Sequence, residues 1–246
     1  AKEMLSRVES LLGSTQATPP SPPLGRGGIL KGLWGGTFHS VANRLLRMYG
    51  GKLGFTNSFT ILDQEDGKSL IKVCVKELKV DTSARRFPSP AKLLGMISYA
   101  RNSGRSIKDV VSDRYNSFFD LVPTIENVAE LYEQRKHAAD SMDFDDLLLK
   151  LRELLYQDSV LRDRLANQFE YILVDEYQDT NVVQADIIRQ LASVHKNVLV
   201  VGDDAQSIYS FRAAEIRNTL GFPETYAGTK TFRLTTNYRS SPEILS

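Results

Sequence analysis

The chain has 246 residues, of which 41% are hydrophobic, enough to bury the core of one large domain or two smaller ones. Its 31 Lys and Arg against 30 Asp and Glu leave a formal charge of +1, so a nucleic-acid surface must come from a local arrangement rather than from a global field. The single Cys74 excludes an internal disulfide and fits a reducing cytoplasm, and its place in the apolar run LIKVCVKEL predicts a small core residue. No run approaches the roughly 18 apolar residues of a membrane span.

The first regular pattern is AKEMLSRVESLLG at residues 1–13, where apolar residues recur at helical spacing. Prolines and glycines from about 14 to 28 then predict a loop without regular structure. A short strand is predicted at about 33–36. A helix follows it, with Ser40 as candidate N-cap.

A helical block is predicted from 63 to 163, between two α/β segments at 1–62 and 164–246. Its successive candidate helices are DQEDGKSLIKVCVKEL, SPAKLLGMISYARNSG, SIKDVVSDRYNSFFDLV, ENVAELYEQRKHAADSM and DFDDLLLKLRELLYQD. After the block, FEYILVDE and KNVLVVGDD predict strands at about 170–174 and 197–201, with the helix TNVVQADIIRQLAS between them. A strand, a helix and a strand in that order give parallel neighbours. A last strand is predicted at about 231–235.

Carboxylates follow both of these predicted neighbouring strands. Asp175 and Glu176 come directly after ILV, and Asp203 and Asp204 come directly after VVG. Because the carboxyl ends of parallel strands share one edge, where open α/β sheets bind ligands, the acids are expected beside a cleft. Adjacent Asp175 and Glu176 suit a divalent metal and an activated water.

A structural alternative assigns the acids of DEYQD to the next helix, as caps. Acids near a helix N-terminus gain ~0.3–1 kcal/mol from the helix dipole. Asp179 or Thr180 would be sufficient for that role.

Two later stretches combine polar, aromatic and basic side chains. The first, GDDAQSIYSFRAAEIRN, contains Gln206, Tyr209, Phe211 and Arg212. The second, FRLTTNYRSSPEIL, contains Tyr238 and Arg239. Aromatic rings beside an arginine are typical of single-strand binders, where bases stack on the rings. In isolation, Tyr209 and Phe211 are equally typical of a protein core.

Taken together, these stretches make the chain similar to the superfamily 1 DNA helicases of the UvrD, PcrA and Rep kind. LVDEYQDTN resembles their Walker B segment, VGDDAQSIYSFRAA their third motif and LTTNYRS their fourth, while GTFHS and MDFDDLL resemble two motifs between. The resemblance implies a RecA-like P-loop NTPase parallel sheet with an inserted all-helical subdomain. It also implies an ATP- and Mg²⁺-dependent translocase that unwinds duplexes with 3′-to-5′ polarity, acting on single-stranded DNA and duplex junctions.

The resemblance further implies roles for single residues. Asp175 would hold Mg²⁺, and Glu176 would be the base that orients the attacking water. Gln206 would sense the γ-phosphate, Tyr238 would stack on the adenine and Arg239 would neutralise charge on the γ-phosphoryl group. The expected DNA contacts are Thr37, His39, Tyr209, Phe211 and Arg212. One departure is Ala213, where the family usually has Gly, and the added methyl group can tilt the approach of the strand.

No G-x-x-x-x-G-K-[ST] phosphate loop occurs in the 246 residues. Gly67-Lys68-Ser69 reads G-K-S, but the neighbouring Asp63, Glu65 and Asp66 would repel phosphate, so the first turn of a helix is predicted there. In the family the loop lies just upstream of AKEML. The chain is therefore expected to carry most of a first motor domain and to be inactive alone.

Two further hypotheses remain open at this point. One is a non-catalytic DNA-binding or interaction module derived from such a helicase, which would have no use for Glu176. The other is a metal-dependent nuclease, which explains neither Gln206 nor the pair Tyr238 and Arg239.

Overall fold

A computed structural model describes residues 33–82, 87–203, 218, 221–234 and 236. The helices are α1 (Phe38–Tyr49), α2 (Gln64–Glu77), α3 (Pro90–Ser103), α4 (Ile107–Arg114), α5 (Val122–Ala138), α6 (Phe144–Gln157), α7 (Ser159–Gln168), α8 (Val182–Leu191) and α9 (Phe222–Thr225). The strands are β1 (Thr60–Ile61), β2 (Ser141–Met142), β3 (Ile172–Val174) and β4 (Val198–Val200). In this part of the chain, every helix is too short or too polar to cross a membrane.

Helices α2, α6 and α8 each begin with a capping box, in which two side chains exchange hydrogen bonds with backbone N–H groups. The pairs are Asp63 with Asp66, Asp143 with Asp146, and Asn181 with Gln184. The box at α2 confirms that Gly67-Lys68-Ser69 lies at the start of a helix. The expected cap of α1 is wrong by one turn, because Thr37 rather than Ser40 accepts the N–H bond.

The strands β3 and β4 pair in parallel, as predicted, with Ile172 opposite Val198 and Val174 opposite Val200. The strands expected at 33–36 and 231–235 are wrong for the described positions, which are irregular. At 33–36, Gly35 and Gly36 weaken a strand, and none of the described strands runs beside it. At 231–234, Phe232 and Leu234 are 84% and 92% exposed, so neither side chain has a surface to pack on.

A second parallel pair, β1 with β2, was not predicted. Thr60 lies opposite Ser141 and Ile61 opposite Met142, so the two ends of the segment between them are held together. Strands of two residues carry too little pattern to be recognised from sequence. This pair brackets the helices α2 to α5.

The helices divide between two apolar cores. One core is built by α2, α3, α4 and α5 and includes the fully buried Cys74, which confirms its expected role as a small core residue. The other is built by α1, α6, α7 and α8 with Phe55 and Phe59. The boundaries at 62/63 and 163/164 stay a prediction. The packing of α6 and α7 with α1 favours an earlier end of the helical insertion, near residue 140.

A buried ion network joins the two cores. Lys136 on α5 is 2% exposed, and its Nζ lies 2.7 Å from Asp143 Oδ2 and 2.5 Å from Asp146 Oδ2. Arg101 on α3 also pairs with Asp146 and lies 2.7 Å from Glu133 Oε1. Burial alone would raise the pKa of Asp146, but Arg101 and Lys136 lower it to about 2. The network therefore holds α3, α5 and the start of α6 in one arrangement.

Replacing Lys136 by Met removes one of the two cations that neutralise the buried carboxylates of Asp143 and Asp146. We expect Lys136→Met to lower the free energy of unfolding by about 3–5 kcal/mol, the usual cost of breaking a buried pair. The matched control is Lys150→Met, because Lys150 pairs only with the partly exposed Glu153 and should cost less than about 1 kcal/mol. Urea unfolding followed by circular dichroism measures both. Equal decreases in the free energy of unfolding in the two variants would contradict the proposed contribution of the ion network to stability.

Candidate active site

The parallel ladder places three acids at one edge of the sheet. The N–H of Val201 donates to the carbonyl of Val174 at 2.9 Å, and the N–H of Tyr177 donates to the carbonyl of Val201 at 2.9 Å. The backbone is therefore tied together on both sides of Asp175 and Glu176, which are exposed. Asp203, two residues after Val201, leaves the sheet at the same edge.

Glu176 adopts an unusual backbone conformation for a residue with a side chain. Its φ of 51° and ψ of 43° lie in the left-handed region, which costs roughly 1–2 kcal/mol for L-residues. Asp175 Oδ1 accepts the N–H of Glu176 at 3.0 Å, which supports this turn locally. Strained residues of this kind cluster where the geometry of a side chain matters for function.

Gln178 connects the two strand ends, and the sequence analysis missed it. Its side chain is 1% exposed. Nε2 donates to Glu176 Oε2 at 2.8 Å, and Oε1 accepts the N–H of Asp203 at 3.0 Å. A Cβ built on Gly202 would lie 2.8 Å from that Oε1, so a side chain there would displace the buried amide. The available sequence signal was an amide placed among the acids of DEYQD.

The alternative that Asp179 or Thr180 caps the following helix is wrong. Asn181 is the N-cap of α8, and a single 3-10 turn, Tyr177–Asp179, separates it from the strand. The hydroxyl of Thr180 donates to the carbonyl of Tyr177 at 2.7 Å. Burial and the charge of Glu176 raise the pKa of Asp179, whose buried Oδ1 accepts no hydrogen bond. Asp175 and Glu176 are thus not needed to start the helix.

Thr37 and His39 lie at the start of α1. Thr37 is exposed, and its hydroxyl oxygen serves as the helix cap. His39 is half-buried, with its ring in edge contact with Phe144 at a centroid distance of 5.9 Å. Burial lowers the pKa of His39 below its ordinary 6.5, although Asp145 opposes the shift. His39 is therefore neutral at neutral pH. Its contact with Phe144 also brings the segment GTFHS against the segment MDFDDLL.

A chain of amides links MDFDDLL to DEYQDTN. Asn102 Nδ2 donates to Asp145 Oδ1 at 2.7 Å, and Asn181 Nδ2 donates to Asn102 Oδ1 at 2.9 Å. Asn102 lies on α3, so a residue of the helical block connects two motifs that are far apart in sequence. The structure thereby places Thr37, His39, Asp175 and Glu176 on one connected framework.

The remaining predicted site residues lie outside the described residues. They are Gln206, Tyr209, Phe211, Arg212, Tyr238 and Arg239. Their roles stay predictions.

Asp175 and Glu176 fit a hard divalent cation, because they offer exposed carboxylate oxygens at the carboxyl end of a strand. The other acidic group within the described residues is Glu133, Asp143 and Asp146, whose carboxylate oxygens lie within 4.8 Å of one another. That group already holds Lys136 and Arg101 as its counter-charges. We therefore retain the exposed acids after β3 as the candidate metal ligands.

A family model described as the UvrD/REP helicase N-terminal domain matches residues 1–227. The chain belongs to the UvrD/REP helicase family. The ATP-dependent DNA helicase PcrA of Staphylococcus epidermidis is 36% identical over 246 residues, which cover 100% of this chain and 31% of that relative. PcrA of Leuconostoc citreum is 36% identical over 245 residues, covering 100% of this chain and 30% of its own length. The chain thus spans about 31% of the length of the relatives it matches.

A substitution at Gly202 tests how closely Gln178 packs against the chain that follows β4. A methyl group at this position meets a side-chain oxygen that is buried and hydrogen-bonded, so we expect Gly202→Ala to lower the free energy of unfolding by about 1–3 kcal/mol. Gly95→Ala is the control, because a Cβ there meets nothing within 4 Å on the surface of α3. It should raise stability by roughly 0.5–1 kcal/mol. Urea unfolding measures the free energy of unfolding of both variants. An unchanged value for Gly202→Ala would show that the space between Gly202 and Gln178 can accept a methyl group.

Proposed function

We propose that this chain serves in an ATP-dependent DNA helicase that moves along single-stranded DNA with 3′-to-5′ polarity. The observation that carries the proposal is Glu176, held in a left-handed backbone conformation beside Asp175 and hydrogen-bonded by a buried amide. Membership of the UvrD/REP helicase family and the name of the PcrA relatives support it. The RecA-like sheet with its helical insertion belongs to the same proposal.

The proposed roles of the residues are those that the resemblance to the helicase family implies. Asp175 would hold Mg²⁺, while Gln206, Tyr238 and Arg239 would contact ATP. When bound, the Mg²⁺ nucleotide supplies the phosphoryl group that is transferred to water. Glu176 orients the water and accepts its proton at a carboxylate oxygen. Arg239 neutralises charge at the γ-phosphoryl group, a contribution that can reach ~10³–10⁵ in rate.

The competing hypotheses are less well supported. A binding-only module has no use for a strained glutamate whose carboxylate is fixed from one side by Gln178. A nuclease would need acids converging on two metals. The acids that do converge in the described residues are paired with Lys136 and Arg101 instead.

The proposal extends to partners and place of action. Single-stranded DNA and duplex junctions are the proposed substrates, with Thr37, His39, Tyr209, Phe211 and Arg212 as the proposed contacts. DNA repair in the cytoplasm is the proposed setting, since a chain with a single, buried cysteine is compatible with a reducing compartment.

A hybrid protein tests the proposed activity. In it, residues 1–246 replace the segment of Staphylococcus epidermidis PcrA that they match. We expect the hybrid to hydrolyse ATP faster with single-stranded DNA. The 246-residue chain alone should release no phosphate above background, because its sequence has no loop to hold the nucleotide phosphates.

Within the hybrid, Glu176→Gln should lower kcat at least ~10²-fold and leave ATP binding in place, as expected for a lost general base. Glu224→Gln is the matched control, since Glu224 is exposed on α9 and should not change turnover. Phosphate release and binding of a fluorescent ATP analogue measure the two effects. An unimpaired Glu176→Gln variant, or robust hydrolysis by the chain alone, would contradict the proposal.

His39 tests the proposed DNA surface in the same hybrid. Because His39 is neutral at neutral pH, it can contribute a hydrogen bond but no cation. We expect His39→Ala to weaken single-strand binding by about 0.5–1.5 kcal/mol and to leave the salt dependence unchanged. Loss of a cationic contact with a phosphate would instead reduce the slope of log affinity against log salt concentration by about 1.

The control for His39 is His195→Ala, because His195 is exposed, its Nε2 lies 3.2 Å from the carbonyl oxygen of Asn167, and it belongs to none of the motifs in sequence. Fluorescence anisotropy at several salt concentrations measures affinity and slope together. Equal affinities of the two variants would remove His39 from the DNA surface.

A further inference from the structure

We infer that Gln178 is a positioning residue that couples the carboxylate of Glu176 to the backbone at Asp203. The inference rests on the proposed role of Glu176 as the base. Gln178 itself touches neither water nor nucleotide in this role. It acts through the two groups that its amide holds, one on each side of the gap between the strand ends.

The orientation of the amide is fixed by its partners. The Glu176 carboxylate can only accept, so it requires Nε2, and the backbone N–H of Asp203 can only donate, so it requires Oε1. A flipped amide would set two acceptors against each other and two donors against each other. One orientation of the amide therefore satisfies both bonds at once.

The surroundings leave the amide little freedom to adapt. Gln178 is buried, and a Cβ built on Gly202 would lie 2.8 Å from its Oε1, so Gly202 lies close to the amide. The backbone bonds of Tyr177 and Val201 hold the strand ends in place beside it. A displacement of the chain at Asp203 consequently pulls the amide away from Glu176 and releases the carboxylate.

The segment that starts at Asp203 gives this coupling a purpose. It leads to Gln206, Tyr209, Phe211 and Arg212, the residues proposed to contact the γ-phosphate and single-stranded DNA. Gln178 therefore fixes the position of the proposed base, Glu176, relative to the backbone at Asp203, from which the chain continues to these residues.

Two substitutions separate the two bonds. Gln178→Ala removes both, whereas Gln178→Glu keeps an oxygen for the N–H of Asp203 and places a carboxylate against Glu176. The matched control is Gln157→Ala, since Gln157 Nε2 also donates to a glutamate, Glu153, at 2.9 Å but is exposed on α6.

In the hybrid, both Gln178 variants should lower the DNA-stimulated kcat by about 10- to 100-fold, the size of a lost supporting contact. The KM for ATP should stay within about twofold, because nucleotide binding does not use this amide. Gln157→Ala should match the parent in both constants. A Gln178→Ala variant with parental kcat, while Glu176→Gln is impaired, overturns this inference and leaves the proposed function standing. An unimpaired Glu176→Gln variant overturns both.

A second readout needs no turnover. In the 246-residue chain, hydrogen exchange of the Asp203 amide, followed by NMR, should accelerate at least about fivefold in Gln178→Ala, as a lost hydrogen bond predicts. Gln178→Glu and Gln157→Ala should leave it near the parental rate. Unchanged exchange in Gln178→Ala would show that the contact with Asp203 is not maintained in solution and would overturn the coupling.

Discussion

The parallel register of β3 and β4 is the constraint on which the candidate site depends. Because Val174, Val201 and Tyr177 are joined by successive backbone bonds, the two chains leave the sheet side by side. The side chain of Gln178 fills the gap between the two strand ends. Gly202, which has no side chain, leaves the space that the Gln178 amide occupies. The left-handed turn at Glu176 then directs the carboxylate back to the amide. Shifting the register would separate all of these groups at once.

Behind this edge, polar networks rather than apolar contacts alone connect the elements. Lys136 and Arg101 tie α5 and α3 to the first turn of α6. Asn102 on α3 accepts a hydrogen bond from Asn181, the cap of the helix α8 that follows Asp175 and Glu176. Buried polar groups of this kind require every partner in place, which favours one arrangement of helices over its alternatives. The helical block and the carboxylates are thus parts of one framework.

Local patterns in the sequence predicted several of the elements around the candidate site and in the helical block. The strand β3 ending in acids, the helical position of Gly67-Lys68-Ser69 and the burial of Cys74 each depend on neighbours in sequence, and the structure confirms them. The strand expected at 33–36 failed because an apolar run is not a strand without a partner. Gln178 and the pair β1–β2 were missed because their roles arise from contacts distant in sequence, such as Thr60 with Ser141.

We propose that the acids after β3, not the buried acids of the ion network, form the metal site. Paramagnetic broadening of NMR signals by Mn²⁺, which stands in for Mg²⁺, tests it on the 246-residue chain. We expect broadening that is centred on Asp175 and Glu176 and reaches Asp203, and we expect it to be lost in Asp175→Asn. Broadening centred on Asp143 and Asp146, or none at β3, would contradict it.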